Sequence, residues 1–150
     1  MKEKIFAIGL NKTGTRTMKS EDMIKKISNK HPLIFLDTKK QLDSWASDID
    51  YIKINEREFN KNYNWLRSVY RRNLIVTKGN DGAILNYNKE FKIKNEHPVR
   101  DLSGAGDTFL AGLVVKYLET NNIDEAIKFA NKCASWVVTQ KGVTIIKCFN

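Results

Sequence analysis

Four short apolar runs separated by amphipathic stretches restrict this chain more than any other feature. They lie at 4–10, 33–36, 51–54 and 74–76. Each is too short for a helix and mostly apolar, so each reads as a strand of a buried sheet. The segments between them have helical character. In 21–29, Met23, Ile24 and Ile27 share one side and Ser20 stands as a candidate N-cap, until His31-Pro32 breaks the pattern. A short segment around Leu42 and Trp45 precedes the third run. Asn55-Glu56-Arg57-Glu58 then opens a helical stretch through Trp65 and Val69. Strands alternating with helices predict an α/β chain with a mainly parallel sheet covered on both faces.

Beyond the fourth run, 83–85 and 91–93 are expected to pair as a hairpin across 86–90. Apolar residues at Phe109, Leu110, Leu113, Val114, Tyr117 and Leu118 then describe one buried helical face. A last helix starts near Asn122 or Asp124 and carries Ile127, Ala130, Cys133, Ala134 and Val137. A final strand is expected at 143–146. With 150 residues and 41% apolar content, the chain is expected to form a single domain, 1–150.

The glycine loop before the first of these helices is the strongest chemical signal. Asp101-Leu102-Ser103-Gly104-Ala105-Gly106-Asp107 runs straight into the amphipathic pattern. Backbone N–H groups at a helix start lack intrahelical partners, and the helix dipole adds partial positive charge there. Glycines let an anion approach that backbone closely. The anion can also be one that develops only in a transition state. Asp107, held beside it, could take a proton from a hydroxyl nucleophile. The plainer alternative is a glycine turn whose acidic first-turn residue merely suits the dipole.

Composition narrows the partners. No apolar run approaches the roughly 18 residues needed to span a bilayer, and the start of the chain does not read as a signal peptide. Two cysteines, Cys133 and Cys148, give neither a disulfide framework nor a metal spacing. A cytoplasmic protein with no membrane partner is expected. The net charge of +9 raises the question of nucleic acid, most of all at 60–72, where Tyr63, Trp65 and Tyr70 interleave with Lys61, Arg67, Arg71 and Arg72. Lysines are spread along the whole chain, however, so a solvated basic surface is the preferred reading and nucleic acid is not expected as a partner.

In parallel sheets ligands sit beyond the carboxyl ends of the strands. Polar signatures follow the predicted strands here: Asp37, Asn55 with Glu58, and Thr77 with Gly79 and Gly82. Taken singly these have modest explanations. Asn55 and Glu58 fit a capping box, Thr77 to Gly82 fit a strand-to-hairpin turn, and Asn131 fits a solvated helix surface.

Together, in this order, the segments resemble the C-terminal half of a PfkB/ribokinase-type carbohydrate kinase. D-L-S-G-A-G-D at 101–107 is similar to that family's D-T-T-G-A-G-D signature, N-E-R-E at 55–58 to its N-x-x-E motif, and T-K-G-N-D-G at 77–82 to its T-x-G-x-x-G nucleotide loop. The match runs from about Ile5 to Ile146. Ile8 to Thr15, Asp37-Thr38-Lys39-Lys40 and 52–55 resemble the heptose-phosphate kinase branch, which serves ADP-heptose synthesis. Gly9 stands where that branch's pattern carries an aspartate.

The resemblance implies a ribokinase-like fold of three layers and transfer of the ATP γ-phosphoryl group to a sugar or sugar-phosphate hydroxyl. Asp107 would be the base, with Gly104, Ala105 and Gly106 as the anion hole. Asn55 and Glu58 would lie near the phosphates and Mg²⁺. Thr77, Lys78, Gly79, Gly82, Gly106 and Asn131 would attend the nucleotide. Asp101, Ser103 and Gly142 would hold a monovalent cation such as K⁺. The half of the family that carries the lid and most sugar contacts has no counterpart here. The isolated chain is therefore expected to be incomplete as a kinase, to associate, and to need a complementing N-terminal half or a second copy. Two other readings compete. One is a nucleotide-binding module or remnant without catalysis. The other rests on 5–15 alone, which also resemble the phosphosulfate loop of some sulfotransferases.

Overall fold

The computed structural model describes residues 5–10, 20–93 and 100–140. The turn from Asn11 to Thr15, His97, Gly142 and the strand expected at 143–146 lie outside these residues. The chain divides into two compact units, 1–78 with 84–89, and 79–83 with 90–150.

The first unit holds the predicted strands: β1 (Ile5–Leu10), β2 (Leu33–Thr38), β3 (Tyr51–Asn55) and β4 (Leu74–Thr77). They pair in parallel, with Gly9 opposite Asp37, Asp37 opposite Lys53, and Asn55 opposite Thr77. The connections run through α1 (Ser20–Ser28), a 3-10 turn (Ser44–Ala46) and α2 (Glu56–Ser68). Among the described residues the sheet has six strands, whose order follows the chain through the short β5 (Ala83–Leu85) and β6 (Lys89–Phe91).

Strand parity builds the core. Ile34, Leu36, Ile52, Ile54, Leu74 and Val76 share one face and pack with Ile24 of α1, Leu66 of α2, Leu42, Ala46 and Ile49. The odd-numbered Phe35, Lys53 and Ile75 are buried as well. Both faces are thus withdrawn from water at β2, β3 and β4, which is why β2 and β4 read as continuous apolar runs. Leu66 has no exposed surface, and burying such a side chain contributes about 1.5–3 kcal/mol. Asn62 is buried among these apolar groups with both polar atoms of its amide hydrogen-bonded. Its Nδ2 donates to Glu58 O (2.8 Å), and its Oδ1 accepts from Leu42 N (2.7 Å).

The end of α2 departs from custom. Tyr70 N donates to Arg67 O and Arg71 N to Leu66 O, the paired bonds of a Schellman termination. The left-handed residue such an end requires is Tyr70, with φ of 44°. Glycine usually stands there, and a bulky residue in that conformation costs about 1–2 kcal/mol. The hairpin turn is similar. Asn86 and Tyr87 have φ of 51° and 71°, the successive left-handed pair of a tight primed turn. Because the turn is tight, β6 occupies Lys89–Phe91, two residues earlier than the sequence suggested.

The second unit is dominated by α3 (Ala105–Thr120) and α4 (Ile123–Val137). Asn121 is left-handed and closes α3. Asn122 caps α4 by accepting from Asp124 N and Glu125 N. The helices are in close contact at Gly112, where a Cβ would stand 3.2 Å from Cys133 Sγ and 3.3 Å from Ala130 Cα. Phe109, Leu110 and Leu113 are buried, but Leu118, expected on the same face, is 55% exposed. Helix α3 is apolar on most of its circumference, so its period alone could not choose the face. Among the described residues no helix is long and apolar enough to cross a membrane.

Candidate active site

In the second unit the glycine loop is placed by main-chain bonds. Arg100 N and Asp101 N both donate to Val138 O, at 2.7 and 3.1 Å, which ties the loop to the end of α4. Asp101 Oδ1 accepts from Ser103 N at 2.8 Å. Gly104 is the N-cap of α3, left-handed at φ 75°, and no side chain caps the helix. Its carbonyl accepts the first intrahelical bond, from Thr108 N at 2.8 Å. Ala105 N reaches Leu102 O only at 3.4 Å.

Ala105, Gly106 and Asp107 therefore form the first helical turn, where amides lack intrahelical acceptors. The loop is not a lead-in to the helix but its beginning. Asp107 is exposed, like Gly104 and Gly106, and its carboxylate lies in the turn where the dipole favours negative charge.

The glycines differ in a way the sequence could not show. A Cβ on Gly82 would meet Phe91 O at 2.0 Å, whereas a Cβ on Gly79 or Gly104 would meet nothing within 4 Å. All three have positive φ. Gly82 is thus a glycine because β6 lies against it. Gly79 and Gly104 need the conformation but have open space outside the backbone, the circumstance in which a ligand could come close. Asn131 bears on the same contact. It is 4% exposed, and its Nδ2 donates to Phe91 O at 2.9 Å. It holds the carbonyl that lies against Gly82 and so acts on the loop of Gly79 and Gly82 through β6. This differs from the solvated residue that its place on a helix first suggests.

In the first unit the carboxyl ends of the strands carry Asp37, Lys53, Asn55, Thr77 and Lys78. Asn55 and Glu58 form a complete capping box. Asn55 Oδ1 accepts from Glu58 N, and Glu58 Oε2 accepts from Asn55 N, both at 2.9 Å. The structural explanation of the N-x-x-E spacing is realised. It engages one oxygen of the Glu58 carboxylate and leaves the role of the other open to chemistry. Thr77 Oγ1 donates to Ile54 O at 3.4 Å, and Lys78 Nζ lies 3.5 Å from Glu56 Oε1.

One pair escaped the sequence reading. Lys53 Nζ stands 2.6 Å from Asp37 Oδ2, with side chains 6% and 17% exposed. The two face each other across adjacent strands. A buried lysine so placed must be paired, because an isolated buried charge is expensive. Asp37 reads in the sequence as a polar strand end and part of a branch-like segment, and nothing local to either residue announces a partner 16 positions away.

The structure thus gathers Asn55, Glu58, Thr77 and Lys78 in one unit and Gly79, Gly82, Asp101, Ser103, Gly104–Asp107 and Asn131 in the other. Gly142 lies outside the described residues. Among those residues no group of three or more His, Cys, Asp or Glu side chains comes together to hold a metal unaided. An ion bound here would draw ligands from phosphate and water, as Mg²⁺ usually does.

The chain is similar to known proteins. Residues 10–147 match the pfkB family of carbohydrate kinases. A ribokinase of Dictyostelium discoideum is 36% identical over 102 residues, which cover 59% of this chain and 32% of that protein. The bifunctional protein HldE of a Marinomonas species is 36% identical over 76 residues, 49% of this chain and 16% of that protein. The structure of Arabidopsis thaliana ribokinase complexed with ribose and ATP superposes with a TM-score of 0.63 at 22% identity, covering 82% of this chain and 46% of that one. The chain thus matches less than half the length of these relatives. With the family's profile matched over most of its residues, the chain belongs to the pfkB family of carbohydrate kinases.

Proposed function

We propose that this chain handles the nucleotide in ATP-dependent phosphoryl transfer to a hydroxyl of a sugar or sugar phosphate. The observation that carries this reading is the start of α3. A left-handed Gly104 with open space beyond it is followed within the first turn by an exposed carboxylate, Asp107, in a chain of the carbohydrate kinase family.

Asp107 accepts the proton of the acceptor hydroxyl as its oxygen attacks the γ-phosphorus. The bond from that phosphorus to the bridging oxygen breaks, and ADP leaves. The amides of Gly104, Ala105 and Gly106 face the charge on the transferred group. They are fixed before the reaction begins, so little reorganisation is needed. Thr77, Lys78, Gly79 and Gly82 attend the nucleotide, and Asn131 keeps their loop in shape through Phe91. Mg²⁺, bound through the phosphates, would neutralise their charge, with Asn55 and the second oxygen of Glu58 holding its waters. Asp101 and Ser103, with Gly142, would hold a monovalent cation beside the loop.

Similarity to HldE over part of the chain supports a heptose phosphate as acceptor, and similarity to ribokinase supports a pentose. Acceptor contacts in this reading come from a complementing half or a second copy. A reaction that consumes ATP is assigned to the cytoplasm.

A non-catalytic nucleotide module is favoured by one observation: Asn55, Glu58 and Asn131 already have structural bonds. The deciding experiment titrates the full chain with MgATP by calorimetry. It then follows transfer from labelled ATP to a panel of sugars and sugar phosphates, with and without the acceptor half of a family member. MgATP should bind; transfer should be weak alone, rise with the added half, and vanish in Asp107→Asn. Failure to bind MgATP contradicts the reading altogether. Binding without any transfer dependent on Asp107 leaves the module.

A further inference from the structure

The basic aromatic stretch at the end of α2 is not used by the reaction, and the structure changes its meaning. Tyr63 and Arg67 stand four residues apart on one side of α2, and Tyr70 follows at the left-handed end of that helix. Their neighbours complete a cluster. Phe59 meets Tyr63 edge-on at 5.7 Å and Tyr87 at 6.1 Å, and the rings of Tyr70 and Tyr87 stack at 6.5 Å with 26° between planes. Arg67 Nη1 donates to Tyr63 Oη at 2.9 Å, which orients both groups. Despite these contacts Tyr63 is 42%, Tyr70 72% and Tyr87 39% exposed.

The two outermost rings are held at an unfavourable backbone conformation. Tyr70 and Tyr87 are both left-handed, where glycine or asparagine would fit more easily. The surroundings fix them there. The Arg71 guanidinium donates to the carbonyls of Ser47, Ile49 and Asp50, and Tyr87 Oη donates to Leu66 O. Strain held by so many contacts while the rings face water points to a use for the rings.

Charge selects the partner. From Phe59 to Asn73 there is no acidic residue, while Lys61, Arg67, Arg71 and Arg72 are basic. We propose that Tyr63, Tyr70 and Tyr87, with Arg67 and Arg72, form a stacking platform for single-stranded nucleic acid. Bases lie against the tyrosine rings, and phosphates meet the two exposed guanidinium groups. The platform lies wholly within the first unit and is independent of Asp107.

The test uses the full chain and a fluorescently labelled twelve-nucleotide oligothymidylate, followed by anisotropy. Saturable binding is expected, weakening with salt at a log–log slope of about −1.4 for two phosphate contacts on a single strand. Tyr70→Gly should raise the melting temperature by about 2–4 °C yet weaken binding about tenfold. Arg67→Gln with Arg72→Gln should flatten the salt slope, and Asp107→Asn should change nothing. The proposal is overturned by absence of binding. It is also overturned if Tyr70→Gly binds as tightly as the parent, or if polyglutamate of equal charge competes equally well. If an acidic peptide binds in a Tyr70-dependent way while the oligonucleotide does not, the partner is a protein and the proposal is wrong.

Discussion

The two units treat their motif residues in opposite ways. In the first, the side chains at the strand ends are occupied. Asn55 and Glu58 cap α2, Lys53 is paired with Asp37, and Thr77 bonds to the neighbouring strand. In the second, apart from Asn131 and the bond of Asp101 Oδ1 with Ser103 N, the glycine loop is fixed through its main chain, and Ser103, Gly104, Gly106 and Asp107 are exposed. The contrast separates residues that a fold needs from residues that a reaction needs. A motif residue bonded into the scaffold changes stability when replaced. One held clear of it changes chemistry.

Asp107→Asn should have the largest effect and should leave stability nearly alone. Loss of a general base lowers the rate roughly 100- to 10,000-fold. Loss of a first-turn charge costs about 0.3–1 kcal/mol. Transfer assayed with the acceptor half present, beside a denaturant melt of the same protein, reads both.

Lys53→Met should do the reverse. It strands the Asp37 carboxylate beside an apolar side chain, and breaking a buried pair costs about 3–5 kcal/mol. The 17% exposure of Asp37 admits some water and should bring the loss toward about 2–4 kcal/mol. Adding Asp37→Asn should recover much of it. If the single substitution is neutral in a chemical melt, the pair contributes little and the strand ends are less committed than argued.

Asn131→Leu removes the Nδ2 donor from Phe91 O and should cost about 0.5–1.5 kcal/mol. Because that carbonyl lies against Gly82, MgATP affinity should fall with it. Unchanged affinity in a destabilised protein would separate Asn131 from the nucleotide loop.

The smallest effect sharpens the contrast most. Asn55→Asp keeps an N-cap acceptor, so stability should change by only a few tenths of a kcal/mol. The Mg²⁺ concentration needed for transfer should nevertheless shift, because a charge has been added where the ion's waters are assigned. If neither quantity moves, the N-x-x-E spacing is a cap and nothing more.

The legible parts of the fold were those with a local cause. β2 to β4 announced themselves because both of their faces are buried. The start of α4 did so because Asn122 is a good cap. Features that depend on distant partners were silent: the Lys53–Asp37 pair, the clasp of Asn131 on Phe91, and the difference between Gly82 and the two open glycines. The hairpin was misplaced because its left-handed turn uses Asn86 and Tyr87 and lacks the glycine that signals one. Leu118 was misassigned because α3 is apolar on nearly every side. Tyr70 was read as one more aromatic in a basic stretch, since only the structure shows it where a helix ordinarily ends in glycine. The site motifs were legible as residues in order, while their bonds, and so their division between scaffold and chemistry, were not.

The division is tested most directly at Gly104. Asparagine tolerates the left-handed conformation and is a good N-cap, so Gly104→Asn should preserve the start of α3 while filling the space outside it with a side chain. Calorimetric titration of the full chain with MgATP, beside a thermal melt, is the measurement. The account predicts a melting temperature within about 2 °C of the parent, a change of under about 1 kcal/mol, with MgATP affinity reduced at least about tenfold, or 1.4 kcal/mol. An intact affinity with asparagine in place would show that the space beyond Gly104 takes no phosphate, and would contradict it.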